Sequence, residues 1–243
     1  MSTPNLMFGG AKMPKLKDQR YLSAKDKFLE YSFQALYAQF DTKDEFLSFF
    51  EAIENDEQKN LFLRTASFYL FLVKKGDWFV DIPGSNKIID YLTDTYKYIV
   101  IFSLIESLQE QEFMDFYPFL VRSKTGVNFP INDKKELEQW YRKYKNEFGS
   151  IHQSVEFFKS LNAKSKADLM KNLEVETAKP TIESLSKYLY NLRSKFVHEA
   201  ELVVNMLGRT TLSSYGKKSV ICKLSLKKLM KYFEEGLIIY FTP

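Results

Sequence analysis

The chain has 243 residues, 45% of them hydrophobic and 27% charged, with a formal net charge of +4. That size and composition suit one globular domain or two small ones, and the 16% of aromatic residues can build a sizeable core. A single cysteine, Cys222, excludes an internal disulfide and a cysteine-built zinc site, and two histidines leave too few ligands for a histidine-rich metal site.

Nine glycines and seven prolines are few for a turn-rich β protein, so an all-α fold is expected. Residues 1–20 are polar and aperiodic and read as a flexible tail. From Ser23, a candidate cap, Phe28, Tyr31, Ala35 and Ala38 recur at helical steps. Asp41 to Glu54 repeats the pattern with Phe46, Phe49, Phe50 and Ile53, and a third helix over Glu57–Lys75 closes at Gly76. After a turn at Pro83-Gly84, Ser85 is placed to cap a long helix to about Gln111, the best candidate for a central buried helix. Further helices are expected over Asp133–Phe148, Ile151–Leu161 and Ala167–Leu173. Thr181 and Ser184 are spaced as a capping box for a helix expected to reach Leu207 and stop at Gly208. "SVICKLS" reads as a short strand, and Ser225–Tyr240 as a last helix with Leu226, Leu229, Phe233, Leu237 and Tyr240 on one side.

No signal-peptide run is present, and the longest apolar stretches, "LFLRTASFYLFLV" and "YIVIFSLI", are too short to span a bilayer. A soluble, cytoplasmic protein without membrane contact is expected. Charge is uneven. Between Lys187 and Lys231 ten basic residues face two acids, a local net charge of +8 that leaves −4 for the remainder. Such a cluster suits an anionic partner such as nucleic acid, and equally suits a solvated face; Lys187, Lys195, Lys217, Lys218, Lys227 and Lys228 are its candidate contacts.

The helix "LYNLRSKFVHEAELVV" carries Arg193, Ser194 and His198. On a helical wheel Leu185, Leu189, Leu192, Phe196, Val203 and Leu207 form the core stripe, and His198 falls about 240° from Leu192, away from it. Arg193 lies on the flank, and a five-residue step sets the two side chains about 140° apart. One helix therefore makes a poor single site, and a second copy brought alongside by two-fold symmetry would converge them better.

Here "YNLRSKFVHEAELV" resembles the R-x(4–6)-H motif of the HEPN superfamily, in particular its Apea-like members. "YIVIFSLIESLQ" is similar to their first core helix and "LSLKKLMKYFEEGLIIY" to their closing helix. The resemblance spans about Ser85 to Tyr240. It implies a HEPN-like helical bundle over residues 85–243, with residues 21–84 as an additional helical N-terminal region. It further implies a homodimer with the motif in a cleft at the interface, a metal-independent endoribonuclease activity without cofactor, and a role in defence or stress. Histidine would move the proton of the RNA 2′-OH, and arginine would hold the phosphate. Ser194 departs from the Asn, Asp or His common after the arginine, and Ala200 stands where some toxin members carry a modifiable tyrosine. Glu106 resembles an acid on the first core helix of some members and also suits an ordinary helix-surface acid.

The rival expectation is a non-catalytic helical module that binds nucleic acid or a protein, and a third is a pure assembly domain. Arg193 and His198 together in an open basic groove would favour the nuclease; a buried or salt-bridged Arg193 would favour a structural role. His152 reads as a surface residue near a helix start, and Cys222 as a buried structural thiol.

Overall fold

The computed structural model describes residues 19–77, 82–84, 86–108, 114–121, 129–131, 133–175, 180–200, 210–215 and 218–243. These residues form eleven α-helices and one small sheet, so the chain is predominantly helical. The tail expected over residues 1–20 lies outside them apart from its last two positions. In order, the chain runs through α1 (Arg20–Ser23), α2 (Lys25–Leu36), α3 (Lys43–Ala52) and α4 (Asp56–Tyr69), which a π-helical turn over Leu70–Lys74 extends. There follow α5 (Asn86–Ser107), α6 (Phe116–Leu120), α7 (Lys134–Phe148), α8 (Ser150–Ser160) and α9 (Ala163–Asn172). Strand β1 (Leu173–Val175) precedes α10 (Ile182–Glu199), and strands β2 (Thr211–Tyr215) and β3 (Lys218–Cys222) precede α11 (Leu226–Phe241). The strands form an antiparallel sheet in the order β1-β3-β2, with Leu173 and Thr211 opposite Cys222 on its two sides.

Local side-chain chemistry starts most of the longer helices. Thr42, Asn55, Asp133, Asn162, Thr181 and Ser225 each accept a backbone N–H from the first turn of the helix they open, which satisfies a donor with no intrahelical partner. The Thr181–Ser184 capping box forms in both directions, at 3.0 and 3.1 Å. Ser23 does not cap. It ends α1, and its hydroxyl donates to the carbonyl of Gln19. The donors of α1 are met from afar, because the nearly buried Asn60 of α4 accepts from the N–H groups of Tyr21 and Leu22.

One hydrophobic core joins residues 21–84 to the rest. Phe46, Phe50, Phe62, Leu63 and Tyr69 pack in the same cluster as Ile101, Phe102, Ile105, Leu189, Phe233 and Leu237. Helix α5 is central, as expected, with Tyr98, Ile101, Phe102 and Ile105 buried. Helix α11 closes the core with Leu226, Leu229, Phe233 and Leu237 buried, whereas Tyr240 is exposed and donates its hydroxyl to the carbonyl of Leu108. A buried carboxylate fixes α11. Glu234 receives the Tyr69 hydroxyl at 2.8 Å, the Gln39 amide at 3.1 Å and the Lys74 ammonium at 2.8 Å. A second, smaller core of Phe119, Leu120 and Phe148, flanked by Phe116, Trp140 and Tyr144, ties α6 to α7.

Helix α10 is shorter than its pattern predicts. It stops at Glu199, where Ala200 turns left-handed at φ 53° and donates its N–H to the carbonyl of Phe196. The expected continuation to Leu207 is therefore broken at Ala200, and residues 201–209 lie outside the described residues.

Two measurements test this packing. A Cβ on Gly236 of α11 would lie under 3.0 Å from three ring atoms of Phe157. Gly236→Ala should therefore destabilise the fold by about 1–3 kcal/mol in urea titrations, despite alanine's better helix propensity, and the loss should shrink in a Phe157→Leu background. The second concerns Asp168. The Tyr232 hydroxyl, then the Lys228 ammonium, hold its carboxyl below the usual value against the cost of burial. A lowered folded value gives stability that is present above the unfolded carboxylate value and is lost as pH falls through the folded one. Tyr232→Phe should cost about 1 kcal/mol near pH 6, a hydrogen-bond value kept low because Asp168 is 40% exposed, with the two proteins converging on acidification.

Candidate nucleic-acid interface

The first half of α10 is a core helix. Leu185, Tyr188, Leu189 and Leu192 are buried, and the fully buried Tyr98 of α5 donates its hydroxyl to the carbonyl of Leu189. Burial, above all, pushes the Tyr98 phenol well up. From Arg193 onward the helix emerges: residues 193–196 are half-buried and 197–200 exposed. The ring of Phe196 meets Tyr96 of α5 edge-on at 5.7 Å; Val203 and Leu207 of the predicted core stripe lie outside the described residues.

Arg193 turns back towards α5. Its Nη2 donates to Oε2 of Glu106 at 3.2 Å, with side chains 16% and 22% exposed. Its guanidinium carbon stands 5.6 Å from the centre of the Tyr190 ring. Glu106 is thus no free helix-surface acid. It sits in the last turn of α5, where a carboxylate faces the negative end of the helix dipole, and Arg193 offsets that charge. Burial raises the Tyr190 phenol, and the charge of Glu106 adds to the rise, while a hydrogen bond with Ser150 and the charge of Arg193 oppose it. The outcome is a partly buried Glu–Arg–Tyr group that fastens α10 to α5.

His198 points elsewhere. It is exposed in the final turn of α10, and Ser194 is half-buried between the two. Arg193 and His198 make no contact with each other among the described residues, so a single chain does not bring the predicted catalytic residues together.

The lysines of the +8 segment disperse. Lys187 pairs with Glu183 at 2.5 Å, Lys223 with Glu174 at 2.6 Å and Lys228 with Asp168 at 3.1 Å, so acids upstream of the segment neutralise part of it. Lys195 is half-buried on α10, and Lys227 is exposed on α11. Lys217 and the side chain of Lys218 lie outside what the structure describes. Cys222 is buried, as expected. Among the described residues no group of three metal-ligating side chains occurs, and no helix is long and apolar enough to cross a membrane.

A different surface gathers cations and aromatic rings. The end of α7, "WYRKYKN" from Trp140 to Asn146, contains no acid and exposes Tyr141, Arg142, Lys143 and Lys145. The Lys143 ammonium lies 4.1 Å from the centre of the Trp140 ring and that of Lys145 4.8 Å from Tyr141. Beside this run a cleft of about 720 Å³ opens between α7, α8 and α10, lined by residues that include Arg142, Lys145, His152, Lys159, Lys187 and Tyr190. His152 therefore lies at the surface, as expected, but in the wall of a basic cleft. The alternation of aromatic and basic residues in α7 was the sequence signal for this face; its Trp140, Tyr144 and Phe148 spacing also reads simply as packing. The chain matches no family model, no curated protein and no solved structure.

These placements separate two residues. Removing Arg193 leaves Glu106 partly buried without its cation, so Arg193→Ala should lower stability by about 1–3 kcal/mol. His198→Ala, at an exposed helix end, should stay within about 0.5 kcal/mol of the parent. Chemical denaturation of both variants checks this, and a Glu106→Gln double-mutant cycle should show coupling with Arg193 and none with His198.

Proposed function

We propose that the protein is a helical module that binds single-stranded RNA. The observation that carries this reading is the acid-free run Trp140–Asn146, where the exposed ring of Tyr141, on which a base can stack, stands among the exposed cations Arg142, Lys143 and Lys145, which can neutralise phosphates. The engagement of Arg193 with Glu106 supports a binding module in preference to a nuclease, because the guanidinium expected to hold the scissile phosphate already holds two helices together.

The second reading, a metal-independent endoribonuclease of the HEPN kind acting in defence or stress, draws support from the exposure of His198 near the end of α10. That reading needs a homodimer, in which a two-fold axis would set the histidine of one copy beside the arginine of the other.

One assay separates them. A labelled single-stranded RNA should bind with an affinity that falls steeply as salt rises, and Lys143→Gln should flatten that dependence by about 0.7 in log–log slope. Tyr141→Ala should weaken binding by about 1–3 kcal/mol, the value of one stacked base. Binding without salt dependence, or unchanged in both variants, would overturn the proposal. Cleavage of the same RNA in EDTA, lost in His198→Ala and restored by mixing His198→Ala with Arg193→Ala chains, would establish the second reading instead.

A further inference from the structure

The cleft beside the α7 run has a composition of its own. Its floor is apolar and aromatic, with Ile151 and Val155 from α8 and Tyr190 from α10. Its volume of about 720 Å³ is in the range of small-molecule sites. Four cations reach it, and they are not equivalent. Lys159 is paired with Glu156 at 2.9 Å and Lys187 with Glu183 at 2.5 Å. Those two rim pairs are close to neutral. Arg142 and Lys145, from the wall nearest the RNA-binding run, have no carboxylate partner among the described residues. His152 joins the lining from the first turn of α8, which follows Gly149 without a side-chain cap.

Two α7 cations without a carboxylate partner among the described residues, a histidine and apolar side chains in one lining make a specific demand on a ligand. A phosphodiester carries one negative charge and is flanked by sugars on both sides. A phosphate monoester carries about −1.5 to −2 near pH 7 and ends the strand, so it can enter the cleft while its nucleoside rests on the apolar part of the lining. Arginine offers paired N–H groups to such an anion, and lysine adds a point charge.

We propose that this cleft receives the phosphate-monoester end of a single-stranded RNA whose body lies along the α7 face. The proposal rests on the RNA-binding reading and deepens it, because it makes the protein a reader of RNA ends. Arg142 and Lys145 grip the terminal phosphate, and the terminal nucleoside packs on Ile151 and Tyr190.

The test uses the full chain and one short RNA sequence made with a 5′-phosphate, with a 3′-phosphate or with hydroxyls at both ends, read by fluorescence anisotropy. One of the phosphorylated forms should bind at least tenfold more tightly than the hydroxyl form. Arg142→Gln/Lys145→Gln should bring the phosphorylated and hydroxyl forms to equal affinity; the end-independent affinity falls as well, because both cations belong to the α7 run, and Tyr141 and Lys143 keep it measurable. Both residues are exposed on α7, and circular dichroism checks that the fold is kept. Inorganic phosphate and a nucleoside monophosphate serve as competitors. The monophosphate should displace the preferred end and inorganic phosphate should do so only weakly; equal competition would assign the cleft to free phosphate and overturn the proposal. RNA that binds equally well with every end, or a preference that survives Arg142→Gln/Lys145→Gln, would overturn the end-binding site while leaving the RNA-binding module intact. No binding of any RNA would remove both.

Discussion

The fold is locked by a carboxylate held away from water. Glu234 is 6% exposed in the middle of α11, and a buried charge is tolerated only where donors surround it. Here they come from the first third of the chain: the Tyr69 hydroxyl, the Lys74 ammonium and the Gln39 amide. The cost of burying the charge is offset only in one alignment, because a slip of α11 by one residue would rotate Glu234 by about 100° and leave it unpaired. Apolar packing alone tolerates many such slips. The carboxylate therefore supplies register, and the rings around it, with Tyr69 and Phe233 centred 4.7 Å apart, supply the adhesion.

That alignment reaches the outer elements through α8. Phe157 lies under Gly236 of α11, where only a residue without a side chain admits the ring, and Phe158 lies against Phe102 of α5. With α8 fixed, its start at Gly149 and Ser150 meets the end of α7 and the flank of α10, and the cleft opens where the three diverge. The Glu106–Arg193–Tyr190 group pins the other flank of α10 to α5. Core and candidate interface are thus one mechanical system, in which Tyr190 belongs to both.

Local features were legible in the sequence and convergent ones were not. The capping box of Thr181 and Ser184 and the turn at Gly84 are written in short-range chemistry, and they stand where the sequence places them. The end of α10 is different. Val203 and Leu207 continue its apolar period, so nothing in the pattern marks Ala200, a residue without glycine's freedom, as the left-handed stop. Charge counting along the chain found a +8 segment, but ion pairing is spatial, and Asp168, Glu174 and Glu183 fold against its lysines. Glu234 and Glu235 look alike in sequence; one is buried in the core and the other accepts from Ser165 and the Asn162 N–H at the surface of α9. The basic cleft draws on three helices and has no sequence signature beyond the α7 run.

The partners of the buried carboxylate also set an order of events in the cell. Tyr69 and Phe62 are synthesised long before Glu234, Phe233 and Phe241, the groups that cover them. A growing chain can form α2 to α4, each capped or packed locally, yet that layer keeps an apolar face open until α11 has left the ribosome. Contacts this distant in sequence form slowly, and the exposed face is a target for chaperones in the interval. Helix α11 covers that layer, so a ribosome stalled shortly before residue 226 would display a helical layer with its greasy side uncovered.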